Sequence, residues 1–201
     1  MKKYFIVVFM GLFSLLANSA QSEEWYAGGA LLSVELDTGA AVVSGTSLDE
    51  EDTGFKVFIG RRINENLSIE GFYADYGEAT LKGSNGDTFT LDGVLYQFIV
   101  DNASLTSDST GIGISAKYTF EINDFIDLYG NLGLLRWDSE MTSSSTSSGS
   151  ATSSDTGTDL IYGVGISFGV SDRLSIFADY EITEIDDDEL TALGAGVAVN
   201  F

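Results

Sequence analysis

The 201-residue chain contains no cysteine, no histidine and no proline. Without cysteine there are no disulfides and no thiolate metal sites. Without histidine, imidazole zinc sites, His-based triads and the commonest switch near neutral pH are excluded. The lack of proline fits uninterrupted strands, because proline removes a donor from the ladder. Basic residues are scarce: 9 Lys and Arg stand against 31 Asp and Glu, a net charge of −22. A surface of that sign repels phosphates, so no nucleic-acid partner is expected. The acidity itself reads as solubility or adaptation to salt, which screens self-repulsion. Beyond residue 20, no run approaches the roughly 20 apolar residues of a transmembrane helix.

Glycine (23 residues) and aromatics (9 Tyr, 13 Phe, 2 Trp) are abundant. Polar and apolar residues balance, as they do when only every second strand residue meets lipid. Met1-Lys2-Lys3, the apolar run from Tyr4 to Leu16 and the small residues Ala17-Asn18-Ser19-Ala20 form the order of a secretory signal peptide. Residues 1–20 are expected to be that signal, and residues 21–201 one barrel domain. The rival reading of the run is a membrane anchor, but it is short for a spanning helix.

The rest alternates with period two over eight candidate strands. They are Glu24–Leu36, Thr53–Arg61, Leu67–Gly77, Thr110–Glu121, Phe125–Trp137, Thr158–Val170, Leu174–Thr183 and Leu190–Phe201. The fourth is the clearest. Ile112, Ile114, Ala116, Tyr118 and Phe120 share one face, and Gly111, Gly113, Ser115, Lys117 and Thr119 the other. In the first, Tyr26, Ala30, Leu32, Val34 and Leu36 fall together, opposite Ser33 and Glu35. Segments of this length suit a tilted membrane strand of about 9–11 residues. An apolar outside, a polar or small-residue inside and full closure satisfy lipid on one face and every backbone group.

Three connections are short: Arg62–Asn66, Ile122–Asp124 and Ser171–Arg173. Those of the other end are mostly long: Asp37–Asp52, Glu78–Ser109 and Ser139–Gly157, with Glu184–Glu189 the shorter exception. Short periplasmic turns and long external loops are the pattern of an outer-membrane barrel. Thr88–Val100 also looks strand-like and is expected to extend the sheet above the membrane; a ten-strand barrel is the alternative. The Ser/Thr-rich tract Thr142–Asp155 reads as a mobile surface loop. The fold class is therefore all-β: an eight-stranded antiparallel transmembrane β-barrel in an up-and-down meander, located in the cell outer membrane.

Several stretches resemble the OmpA-like and opacity-type family of small outer-membrane β-barrels. They are Trp25-Tyr26-Ala27-Gly28-Gly29, the run Leu67 to Gly77 with its Tyr-x-Asp-x-Gly ending, Leu132 to Asp138, Leu160 to Gly165, and the terminal Phe201. Phe72 stands where the family usually has glycine. The resemblance covers the transmembrane domain and implies no periplasmic peptidoglycan-binding domain. It implies that Phe201 is an assembly signal read by the barrel-assembly machinery, and that interior charges cross the lumen and can gate a narrow pore.

The interior charges by alternation are Lys56, Glu70, Lys117, Asp179 and Glu181. They must pair or stay hydrated, either as a gate or as a plug that rigidifies the interior. Trp25, Tyr26, Tyr73, Tyr118, Tyr162 and Tyr180 are expected on the lipid face or its aromatic girdles, and Trp137 at the rim. The acidic runs Asp49 to Asp52 and Asp186 to Glu189 lack calcium-loop spacing and read as solvated loops. No catalytic, cofactor-binding or metal residues are assigned. The expectation is a non-enzymatic structural barrel or narrow, low-conductance pore, with a surface adhesin acting through its loops as the alternative. Expected partners are outer-membrane lipid and lipopolysaccharide, the assembly machinery, and small cations or a surface ligand.

Overall fold

The structure is a computed structural model that describes residues 24–201 apart from 148 and 187. The expected signal peptide, residues 1–20, lies outside the described residues. Twelve strands run in order: β1 (Trp25–Asp37), β2 (Ala40–Ser44), β3 (Ser47–Asp49), β4 (Glu51–Arg62), β5 (Leu67–Gly83), β6 (Thr88–Leu91), β7 (Val94–Gln97), β8 (Ala103–Asn123), β9 (Ile126–Ser145), β10 (Gly149–Gly169), β11 (Leu174–Ile185) and β12 (Asp188–Asn200). Eight of them, β1, β4, β5 and β8 to β12, close into an antiparallel ring. The seam is the pairing of first with last, from Tyr26 opposite Asn200 to Asp37 opposite Glu189. Closure leaves the ring no free sheet edge.

Alternation decides which way each side chain points. In β8, Ile112, Ile114, Tyr118 and Phe120 are exposed, whereas Gly111 and Ser115 are buried. Leu128, Leu132 and Leu134 on β9, Leu160, Tyr162 and Val164 on β10, and Leu193 and Val197 on β12 continue this exposed apolar band. Such a band is costly in water and stable only against hydrocarbon.

The inside is packed by a repeated pairing. Six inward aromatics each stand opposite a glycine on the neighbouring strand. The pairs are Tyr26–Gly60, Phe58–Gly28, Phe72–Gly113, Tyr129–Gly165, Trp137–Gly157 and Phe177–Gly196. A Cβ on any of these glycines would run into the ring opposite. A narrow eight-stranded lumen is thus filled by large rings lying over positions with no side chain.

The structure differs from the sequence expectations, or refines them, at four places. The apolar face of β1 points inward: Tyr26, Ala30, Leu32, Val34 and Leu36 are buried, and Ser33 and Glu35 face out. Polar Ser33 and Glu35 on the outward face mark the upper half of β1 as a wet stretch of the outer wall, so its apolar side chains pack into the interior. Tyr26 is therefore not a lipid-face residue. Trp137 is not a rim residue but 4 % exposed inside the barrel. The tract Thr142–Asp155 is paired as a β9–β10 hairpin, with Gly149 opposite Ser145 and Asp155 opposite Ser139. Thr favours strands, and the Thr142 and Thr152 hydroxyls meet across this ladder. Finally, β6 and β7 do not cross; they form a separate three-stranded sheet with β2.

Candidate functional site

The lumen has three levels. At the end of the short turns lies a polar vestibule of about 760 Å³, lined by turn residues such as Asn64 and Asp124 and reaching Tyr26 and Lys117. Above it comes a belt of charges. Above the belt the inward residues are largely apolar: Leu32, Val34 and Leu36 from β1, Ala74 and Tyr76 from β5, Leu135 and Trp137 from β9, Ile161 from β10, Ile185 from β11, and Leu190 and Ala192 from β12, with the buried hydroxyls of Ser109 and Thr183 and the Asp159 carboxylate among them. Leu32, Leu135 and Leu190 are among the largest fully buried side chains. A second void at this upper level measures only about 10 Å³.

The structure brings the five charges predicted from alternation to one level. Lys56 Nζ on β4 donates to Glu181 Oε1 on β11 at 2.6 Å. Lys117 Nζ on β8 donates to Glu70 Oε1 on β5 at 3.2 Å. Asp179 on β11 takes part differently: its Oδ2 accepts from the Tyr129 hydroxyl at 3.2 Å. Rings connect the groups. Lys117 Nζ lies 4.0 Å from the Tyr129 ring centre, and Lys56 Nζ 4.9 Å from that of Phe72. Both amines therefore gain from ring quadrupoles as well as from carboxylates.

Sequence reasoning missed three partners. The Tyr26 hydroxyl donates to Glu70 Oε1 at 2.7 Å. Asn131 Nδ2 donates to Glu181 Oε1 at 2.6 Å. Tyr129 serves Asp179 as described. Tyr129 and Asn131 alternate with the exposed Leu128 and Leu132 along β9, so period-two parity turns both inward. Trp137 Nε1 donates to Asp159 Oδ2 at 2.6 Å, which satisfies its one buried donor. Phe201 closes the seam at the vestibule end, where its N–H donates to the Trp25 carbonyl at 2.8 Å.

Two carboxylates of the first acidic run accept hydrogen bonds. Glu50 Oε1 accepts from the Thr38 N–H and hydroxyl, and Asp52 Oδ2 accepts from the Glu78 N–H. At the long-loop end, burial and the carboxylates of Asp186, Asp92, Asp37 and Glu50 push the Asp188 carboxyl up to about 6. On the outer wall Glu78, Asp108 and Glu140 stand opposite one another on adjacent strands. There partial burial, then the facing Glu140 and Glu78, raise the Asp108 carboxyl above its ordinary range.

Residues 5–201 match the family described as outer membrane protein beta-barrel domain. The chain belongs to that family. Outer membrane protein A of Salmonella typhi is 26% identical over 187 residues, which covers 91% of this chain and 48% of that protein. The chain thus spans about half the length of the curated relatives it matches. Two solved structures share the fold. Ail of Yersinia pestis, in complex with the heparin analogue sucrose octasulfate, has a TM-score of 0.57 at 17% identity, covering 89% of this chain and 98% of that one. Neisserial surface protein A has a TM-score of 0.53 at 21% identity, covering 90% and 98%. This outer-membrane barrel therefore carries its exposed apolar band in lipid, with short turns on the periplasmic side and long strands outside.

Proposed function

We propose that this protein is a non-enzymatic envelope scaffold: a barrel closed to ions that holds a β-structured platform above the outer membrane. The reading is carried by the tightly packed layer above the charge belt. An ion leaving the vestibule would meet Leu32, Leu135, Thr183, Leu190 and their neighbours packed around a void of only about 10 Å³, too small to pass a hydrated ion. In this reading Lys56, Glu70, Lys117, Asp179 and Glu181 fix the interior instead of gating it. Lys56–Glu181 joins strands 125 residues apart and Lys117–Glu70 joins two neighbouring strands, so a slipped register would leave buried charge unpaired. Liposomes carrying the refolded protein should hold a potassium gradient as long as empty liposomes do. A leak proportional to the amount of protein would contradict closure.

A second reading, surface interaction, is favoured by the length of the outer strands. β8 and β10 have 21 residues each and β9 has 20, against the about 9–11 that cross a bilayer. The excess builds a rigid platform that a pure membrane plug does not require. The polyanion bound to Ail is not carried over, because acidic groups dominate the outer end of this chain. Lipopolysaccharide is proposed as the neighbour of the apolar band, and Phe201 as the signal for the assembly machinery.

A further inference from the structure

A β-bulge makes a polar void at the outer end of the packed layer. Asp75 pairs with Thr110 and Glu78 with Asp108, so Tyr76 and Gly77 of β5 stand opposite the single residue Ser109 of β8. Two residues against one bend the strand and open the ladder locally. Gly77 takes the left-handed backbone this needs, at φ 74°. Side chains capture the amides that the bulge releases. The Gly77 N–H donates to Asp75 Oδ1 at 3.0 Å, and the Glu78 N–H to Asp52 Oδ2 at 2.9 Å.

Ser109 is left facing the opening. It is 4% exposed, and its buried hydroxyl has no hydrogen-bond partner among the described residues. It lines the void of about 10 Å³ together with Asp52 on β4 and Glu50 just before it, against the apolar Val34, Leu36 and Leu190. Buried polar groups in stable folds are paired, either within the protein or through ordered water. A hydroxyl left unpaired forfeits its hydration and gains nothing in return.

Size and chemistry select the guest. The void of about 10 Å³ is on the scale of one water-sized sphere, so no larger solute fits. The guest must also bond a hydroxyl and a carboxylate at once. Asp52 retains acceptor capacity: Oδ1 accepts from the Thr53 N–H and Oδ2 from the Glu78 N–H, whereas a carboxylate has about four lone-pair sites. A bare cation is the rival guest. Hard cations take about six or more oxygens, and Val34, Leu36 and Leu190 supply none on their side of the void. No group of three carboxylates able to hold a metal ion occurs among the described residues.

We propose that this void is a binding site for a single ordered water that joins Ser109 of β8 to Asp52 of β4 beneath the β5 bulge. Because β5 lies between β4 and β8 in the ring, the water links strands that do not pair with each other. It completes the hydrogen bonding of the packed layer where the bulge has interrupted it. The inference rests on the packing of that layer and not on its closure to ions, so a barrel that leaks by another route would leave it standing.

A crystal structure of the whole refolded protein, at a resolution that shows waters, tests the site directly. One spherical peak within about 3.2 Å of both Ser109 Oγ and an Asp52 oxygen is expected. No peak there overturns the proposal. So does a peak with oxygen distances of about 2.4 Å, which is a cation. Ser109→Ala gives an independent reading by urea unfolding in micelles, with heat-modifiable mobility reporting the folded barrel. With the water bound, the substitution removes one of its partners and the unfolding midpoint falls. With the hydroxyl unpaired in the native fold, the substitution relieves a desolvated group and the midpoint rises. A midpoint that rises or stays unchanged overturns the proposal.

Discussion

Lys56 Nζ and Glu181 Oε1 lie 2.6 Å apart although 125 residues separate them in the chain. Their side chains are 6% and 4% exposed, so neither charge can fall back on water. Replacing Lys56 with Met leaves Glu181 buried without its cation and should cost roughly 3–5 kcal/mol. The double variant Lys56→Met, Glu181→Leu should recover most of that loss. Urea unfolding in micelles, followed by heat-modifiable mobility, measures both. Equal stability of single variant and wild type would show that the pair does not hold the interior.

Gly60 lies under the Tyr26 ring. Gly60→Val should therefore destabilise the barrel by about 1–3 kcal/mol through overpacking. Adding Tyr26→Ala should relieve part of the clash, although Glu70 then loses a donor. The same logic applies to Gly165 beneath Tyr129. A thermal shift unchanged by Gly60→Val would contradict the packing of rings over glycines.

Asp188 gives the outer end a pH dependence. Its folded pKa of about 6 exceeds the ordinary value because of burial and four neighbouring carboxylates. A raised acid pKa contributes stability that is complete below the unfolded value near ~4 and is lost as pH rises through about 6. Limited proteolysis of the β11–β12 turn should therefore be slower at pH 4 than at pH 7. Asp188→Asn should slow cleavage at pH 7 and flatten the profile. A steeper profile in the variant would contradict this assignment.

Deletion of Phe201 separates assembly from folding. Its N–H donates to the Trp25 carbonyl at the end of the seam. In cells, the truncated chain should reach the outer membrane several-fold less than wild type, whereas refolding in micelles should be nearly unchanged. Equal loss in both settings would assign Phe201 to stability instead.

Much of the ring was legible because period-two alternation is a local property. β8 reads correctly residue by residue, and Lys56, Glu70, Lys117, Asp179 and Glu181 were all placed inside by parity alone. Parity fixes two faces but not which is wet. In β1 the outward medium changes from lipid to water along the strand, so Leu32, Val34 and Leu36 looked lipid-facing while lying in the core. The ladder of Thr142 with Thr152 escaped notice because Ser and Thr carry no hydrophobic alternation to read. Which acid meets which amine depends on the shear of the closed ring, which no single strand encodes.

The most direct test of closure is single-channel recording of the refolded protein in a planar bilayer, beside a variant with Leu135→Gly and Trp137→Ala. Wild type should be silent at voltages the bilayer tolerates, and the thinned variant should show small, cation-selective steps. Reproducible steps from folded wild type would contradict the closed lumen and return Glu70 and Lys117 to the role of a gate.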